Sequence, residues 1–335
     1  MSAPTLSAEV VGGPPDDDVP RAVAARPTAS DRVFRTAVRA AALNVLVVMG
    51  LIGLFLVLQS TDALRVAGWS FLTQQEWLPE AGRFGISELL LGTVLIAAVA
   101  LVVAVPLAFG AAVFITEYAP VRLRPVLVSV VDLMAAVPSI VYGLWGFFFL
   151  QPRMVPFGRW LADHLGWIPL FAVHDAEAES AYASSTLIAG VAVSLVVIPI
   201  VCSLMREVFA QAPIGEREAA VALGATRWGV IRTVVLPFGR GGMIGATMLG
   251  LGRALGETVI VYLIISPIFV RRTRIVESGG NSIAAHIAIR FPDSTRFDIS
   301  ALMAAGLALF LLTLVVNTIA AAVVARSRSG AQTEI

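Results

Sequence analysis

Apolar side chains in this chain come in long unbroken blocks, not in alternation, and polar residues gather between the blocks. A helix of about 20 apolar residues crosses a bilayer, and six segments approach or exceed that length: 40–58, 89–115, 126–150, 186–205, 243–265 and 301–324. The pattern predicts an all-α integral membrane protein with about six transmembrane helices, in contact with membrane lipid. Nearly every segment contains Gly or Pro, which membrane helices tolerate because neighbouring helices satisfy the freed backbone groups. Pro106 and Pro199 are expected to kink the second and fourth helices. Gly245, Gly250, Gly252 and Gly256 offer small faces for close packing of the fifth.

The polar stretches set the domain plan. Residues 1–30 are rich in Ala, Pro and Asp, with Asp16, Asp17 and Asp18 in a row, and are expected to be a disordered cytoplasmic segment. Residues 31–87 should hold an uncleaved signal-anchor helix, introduced by Arg32, Arg35 and Arg39, and an external loop. The transmembrane domain follows over 88–325, with a cytoplasmic tail at 326–335. Trp69, Phe71 and Trp77 suit an interfacial aromatic belt. Segment 151–185 reads as a second external loop, with Trp160 and Trp167 ahead of an acidic patch at Asp175, Glu177 and Glu179. Placing the N-terminus in the cytoplasm puts 14 arginines inside and nine outside, with Arg253 in the membrane. That bias favours this orientation, against an external cluster at Arg271, Arg272 and Arg274.

Composition adds exclusions. Of the 335 residues 58% are hydrophobic, against about 45–50% in soluble domains, and the mean hydropathy is +0.85. The 24 basic and 23 acidic residues balance, so no nucleic-acid partner is implied. Every basic residue is arginine. A P-loop needs a lysine on the transferred phosphate, so ATP would have to be bound by a partner subunit. Cys202 is the single cysteine, and His164, His174 and His286 have no ligand spacing and read as neutral loop histidines. With no metal set and no nucleophile–base pair, the chain reads as a non-catalytic subunit that carries no cofactor.

Segment 216–237, EREAAVALGATRWGVIRTVVLP, is too polar to cross a membrane. Its pattern predicts a short helix from Glu218 to Leu223, a turn at Gly224, and a second amphipathic helix beneath the membrane with Trp228, Ile231, Val234 and Val235 on one face. The spacing resembles the signature of ABC importer permeases: Glu218-Ala219-Ala220, Gly224, Val234 and Leu236-Pro237 all fall in place. The resemblance implies a type I ABC importer permease fold, in which the short helix enters a groove of a cytoplasmic ATPase. There the alanines allow close docking, and Glu218 anchors the helix end.

The fifth apolar segment carries Gly252-Arg253-Ala254-Leu255-Gly256-Glu257-Thr258. A charge at mid-membrane costs about 2.5–3.5 kcal/mol, and residues four apart share a helical face. Arg253 and Glu257 can therefore neutralise each other. The pair either fixes helix packing only, or lines a pathway in which Arg253 meets a passing oxyanion, sulfate and molybdate as readily as phosphate. A secondary transporter would also use such a pair, but it has no reason to carry the 218–237 segment. The string resembles phosphate-specific transport (Pst) permeases, as do Gly92-Thr93 through Pro106 to Glu117-Tyr118-Ala119-Pro120 and the stretch from Asp132 to Gly146. Phe71, Trp77, Pro79 and Phe84-Gly85 resemble the PstC-type subunit. This kinship implies a permease of an ATP-driven phosphate importer, with a PstA-type sister permease, two copies of an ATPase and an external phosphate-binding protein. It also ties Arg253 and Glu257 to phosphate movement.

Overall fold

A computed structural model describes residues 29–174, 177–267, 269 and 273–328, with side chains up to 325. The expected disordered segment therefore lies outside the described residues except for its last two, which open the first helix. Asp175, Arg271 and Arg272 also lie outside them. The chain divides into two compact units, Met1–Ile52 and Gly53–Ile335. The described part of the first is the leading portion of helix α1 (Ala29–Ala67), exposed along its length.

In the second unit, α1 ends at Ala67 and is followed by α2 (Ser70–Thr73) and a hairpin of two-residue strands, β1 (Trp77–Leu78) and β2 (Arg83–Phe84). Helix α3 (Ser87–Val113) continues through a π-helical turn, Phe114–Tyr118. Next come α4 (Arg124–Ala136), α5 (Ser139–Trp145), a π turn at Gly146–Leu150, and α6 (Gln151–Leu165). The short α7 (Ser180–Ala183) precedes α8 (Thr186–Ala210) and α9 (Ile214–Ala222). Then follow α10 (Arg227–Val230), a π turn at Ile231–Val235, α11 (Leu236–Leu255) and α12 (Val259–Ile264). Helices α13 (Ile283–Arg290) and α14 (Arg296–Arg328) complete the order.

Five helical stretches are long and apolar enough to cross a membrane: Ala29–Ala67, Ser87–Tyr118, Thr186–Ala210, Arg227–Leu255 and Arg296–Ala325. A sixth arises if α4 and the α5–α6 rod count as one span, bent by 89°. The expected count of about six stands, but two boundaries move. The 126–150 block is not one straight helix, because Pro138 forces Val137 out of the helical region (ψ 129°). The Tyr142 hydroxyl bridges the bend by donating to the Met134 carbonyl at 2.8 Å. Its second half runs on as helix to Leu165, so much of the expected loop 151–185 is α6. The fifth span is shifted as well: it begins at Arg227, not 243, and stops at Leu255.

Each π turn has the same cause. Prolines 120, 152 and 237 stand two residues beyond the turns ending at 118, 150 and 235. A proline cannot donate to the ladder and its ring collides with the carbonyl four residues back. Widening the preceding turn, with Leu236 donating to Ile231 five residues back, lets the chain accommodate the ring. At Pro152 and Pro237 the helix continues. The amphipathic segment expected to lie separately beneath the membrane is thereby the first part of the fifth span.

Lipid leaves little solvent-driven gain in helix association, so close packing has to supply it. Ala97, Ala100, Ala104, Ala108 and Ala112 form a fully buried stripe along α3, against Ala189, Ala192, Val193, Val197 and Val201 of α8. On α11 the small residues that meet α8 are Gly239, Gly242, Ala246 and Gly250. A Cβ on Gly250 would come within 2.6 Å of Val201, and one on Gly239 within 3.0 Å of Phe209. Gly245 and Gly252 instead face α14 at ordinary distances, near Val324 and Asn317.

A second cluster sits around the hairpin. Phe71 and Trp77 are buried there, not in a membrane belt, packing edge-on against Phe84, while Trp69 stays exposed. His286 is no loop residue: it is buried on α13, between Trp77 and Phe269 at 4.5 and 5.3 Å. Burial, then the neighbouring Arg290, push its pKa down to about 3. Arg274 bonds Glu277 at 2.9 Å and the ring of His174.

Candidate functional site

Arg253 occupies the last turn of α11, where the negative end of the helix dipole favours a cation. The helix stops at Gly256, and Glu257 lies in the break before α12. The two charges therefore meet across a helix end, not along one face of an unbroken helix. Arg253 Nη1 stands 3.1 Å from Glu257 Oε2. The N–H does not point along that line, and Oε2 has no aligned hydrogen bond, so the contact is Coulombic. Their environments differ sharply: the Glu257 side chain is 2% exposed and that of Arg253 is 40%. Glu257 is the buried countercharge, and the Arg253 side chain is partly exposed.

The second group of sequence-derived residues forms a separate feature. Helix α9 begins four residues earlier than expected, at Ile214 after Pro213. It projects from the fold without a single buried residue, showing Ile214, Val221 and Leu223 to the exterior. Glu218 and Ala219 lie exposed at its middle, with Ala220 half-buried. Glu218 makes no ion pair among the described residues. The helix closes with a Schellman turn: Ala225 donates to the Ala220 carbonyl at 3.0 Å and Gly224 to that of Val221 at 2.9 Å. Gly224 has φ +84°, the left-handed region that costs most L-residues about 1–2 kcal/mol. Thr226 then caps α10 by accepting from the Gly229 N–H at 3.2 Å.

Sequence reasoning missed what holds α9. Arg217 Nη1 stands 3.0 Å from both carboxylate oxygens of Glu117, at the end of α3, and Nη2 donates to the Phe209 carbonyl at 2.6 Å. One arginine thereby ties α9 to α3 and α8. Glu117 stood within a resembling string and Arg217 directly before another, but nothing local links two positions 100 residues apart.

The structure does not bring Arg253 and Glu257 together with Glu218, Ala219 and Ala220. It connects them through a rod: Leu236 and Pro237 open α11, Arg253 closes it, and 16 residues of helix span ~24 Å.

The family described as "Binding-protein-dependent transport system inner membrane component" matches residues 104–329. The phosphate transport system permease protein PstC 2 of Mycobacterium tuberculosis is 42% identical over 88% of this chain and 91% of its own length. PstC of Xylella fastidiosa (strain 9a5c) is 38% identical over 88% of this chain and 90% of its own. The crystal structure of a bacterial ABC transporter involved in the import of the acidic polysaccharide alginate contains a chain with the same fold. Its TM-score is 0.54 at 16% identity, covering 88% of this chain and 99% of that one. An apolar multi-pass architecture, an exposed α9 ending in a glycine turn, and these kinships converge: the chain belongs to the inner membrane components of binding-protein-dependent transport systems, and within them to the PstC permeases.

Proposed function

We propose that this chain is the PstC-type permease of an ATP-driven importer of inorganic phosphate, and that Arg253, held by Glu257, lines the path of the ion. The partly exposed guanidinium against a buried carboxylate carries the site assignment. A station for a passing anion needs a cation that stays accessible and is tempered enough to release it, and the exposed Arg253 beside the buried Glu257 suits that role. Phosphate is supported by the names of the relatives above, and an oxyanion by the arginine itself. The N-terminus lies in the cytoplasm in this reading, so α9 faces the ATP side.

The partners follow from that placement. A PstA-type sister permease completes the path, an external phosphate-binding protein delivers the ion, and two copies of an ATPase take the α9 helices into their grooves. Closure of the ATPase pair draws α9 inward, and α11 carries the movement to Arg253. The permease pair then opens outward to receive phosphate, and hydrolysis resets it.

The test is phosphate uptake by the complete complex in proteoliposomes, with ATP hydrolysis recorded alongside. Arg253→Ala should abolish uptake in an assembled complex that still hydrolyses ATP, and Glu218→Lys should uncouple or block hydrolysis. Normal phosphate uptake by Arg253→Ala would make the pair structural. Uptake of sulfate or molybdate in preference to phosphate would overturn the substrate.

A further inference from the structure

A cavity of about 330 Å³ opens at the α9 end of the second unit, lined by Glu117, Arg124, Arg206, Ile214 and Arg217 among others. Three guanidinium groups share it with one carboxylate, and arginine stays protonated at any physiological pH. Glu117 is committed to Arg217 by both oxygens. Among the described residues neither Arg124 nor Arg206 is ion-paired. Arg124 spends only its Nε–H, on the Ala119 carbonyl at 3.1 Å. The Nε–H groups of Arg206 and Arg217 are buried and meet no protein acceptor. Asp132, the acid on the facing side of α4, accepts from Ser203 at 3.4 Å and makes no ion pair with Arg206. The two buried charged donors without acceptors are unfavourable unless an acceptor meets them, and Arg124 and Arg206 leave the cavity with a net positive charge. The first residues of α4 and α9, Arg124 and Ile214, also line the cavity, and the positive ends of these helix dipoles add to the field.

We infer that this cavity binds a phosphate group, held by the guanidinium groups of Arg124, Arg206 and Arg217. The planar fork of arginine pairs with two oxygens of a tetrahedral oxyanion, and the volume accommodates either a free phosphate or the headgroup of an anionic phospholipid. The site is distinct from Arg253 and stands whatever that residue does. Its consequence is mechanical. Arg217 already ties α9 to α3 and α8, and an anion shared with Arg206 and Arg124 adds α4 to the same clamp. The stiffness of α9 then depends on phosphate groups at its own face of the membrane.

The test uses the complete complex in nanodiscs, without a binding protein. In phosphatidylcholine discs, radiolabelled inorganic phosphate is titrated onto wild type, Arg206→Gln, Arg124→Gln and Arg253→Ala. In discs that also contain phosphatidylglycerol, retained lipid is counted by native mass spectrometry. Loss of one charge-assisted contact should weaken binding about ten-fold. Phosphate binding weakened in Arg206→Gln and Arg124→Gln, beyond any share lost in Arg253→Ala, assigns a free phosphate to the cavity. Phosphatidylglycerol retained by wild type and shed by the same two variants assigns a lipid headgroup. Wild-type behaviour of both variants towards both probes, in assembled complexes, overturns the site. If Arg206→Gln fails to assemble, Arg124→Gln alone decides, because Arg124 lies exposed at the start of α4.

Discussion

Replacing Glu117 by Gln tests whether α9 is fastened where the structure places its fastening. The substitution keeps the size of the side chain and one oxygen acceptor but removes the charge facing Arg217. The pair is intermediate in burial, with side chains 24% exposed for Arg217 and 11% for Glu117. Exposed pairs contribute about 0–1 kcal/mol, and removing one member of a fully buried pair costs about 3–5 kcal/mol. A value of ~2 kcal/mol follows for this one, partly cushioned because Arg217 keeps its bond to the Phe209 carbonyl. That energy corresponds to about a 30-fold rise in local opening of α9. Hydrogen exchange of the complete complex, read on a peptide covering 214–222, should show the amides exchanging faster by this factor. A peptide over 196–202, buried in α8, should not change. ATP consumed per ion transported should rise with it, because a loosened α9 absorbs movement that α11 would otherwise carry. Exchange of α9 within about threefold of wild type, under ~0.7 kcal/mol, would refute the clamp.

Other outcomes follow from single contacts. Gly250→Val places a branched side chain where even a Cβ would stand 2.6 Å from Val201, and overpacking of this kind costs about 1–3 kcal/mol. A lowered melting temperature of the detergent-solubilised complex would report it, and Gly245→Val, with nothing nearer than 3.8 Å, should melt close to wild type. Gly224→Ala should lower coupled transport by straining the Schellman turn by about 1–2 kcal/mol, with Gly224→Asn, which tolerates that conformation better, intermediate. His286 is neutral when folded, with a pKa near 3, and takes a proton when exposed below its ordinary 6.5. Its environment around α13 should therefore lose about 1.4 kcal/mol for each pH unit below 6.5, down to about 3. Exchange of α13 amides between pH 7 and 5 would measure this, and His286→Phe should flatten the dependence.

Much of this molecule could be read from residue order, and the parts that could not share a cause. Apolar blocks reported the spans because a bilayer demands them, and spacing alone picked out 218–237 because a turn, a cap and a proline each need particular residues. Hydropathy averages over a window, so it passed over the three residues 256–258 that end α11 and the Val137-Pro138 bend, both too short to lower an apolar mean. The same averaging hid α6. Pro152, Arg153, Pro156 and Arg159 make that stretch resemble a loop, whereas a π turn takes up Pro152 and only Gly158 and Leu161 turn inward. Phe71 and Trp77 looked like a membrane belt because local polarity cannot say whether an aromatic ring meets lipid or its own chain. The Arg217–Glu117 clamp and the basic cavity beside it join segments separated by about 100 residues. Only the folded chain brings them together.

The wide turn at Ile231–Val235 also preserves a phase. It holds one residue more than an α-turn would while completing the same rotation, so the extra residue is absorbed there and the rest of α11 keeps its facing. Removing one residue from this turn would let it close to ordinary α pitch with Gly239, Gly242 and Gly250 still against α8 and Arg253 still beside Glu257. The same deletion placed just beyond it, between Leu236 and Gly239, has no wide turn to absorb it and would swing the rest of α11 by about 100° about its axis. The turn is a register buffer between the Gly224 turn and the charge at the far end of the helix.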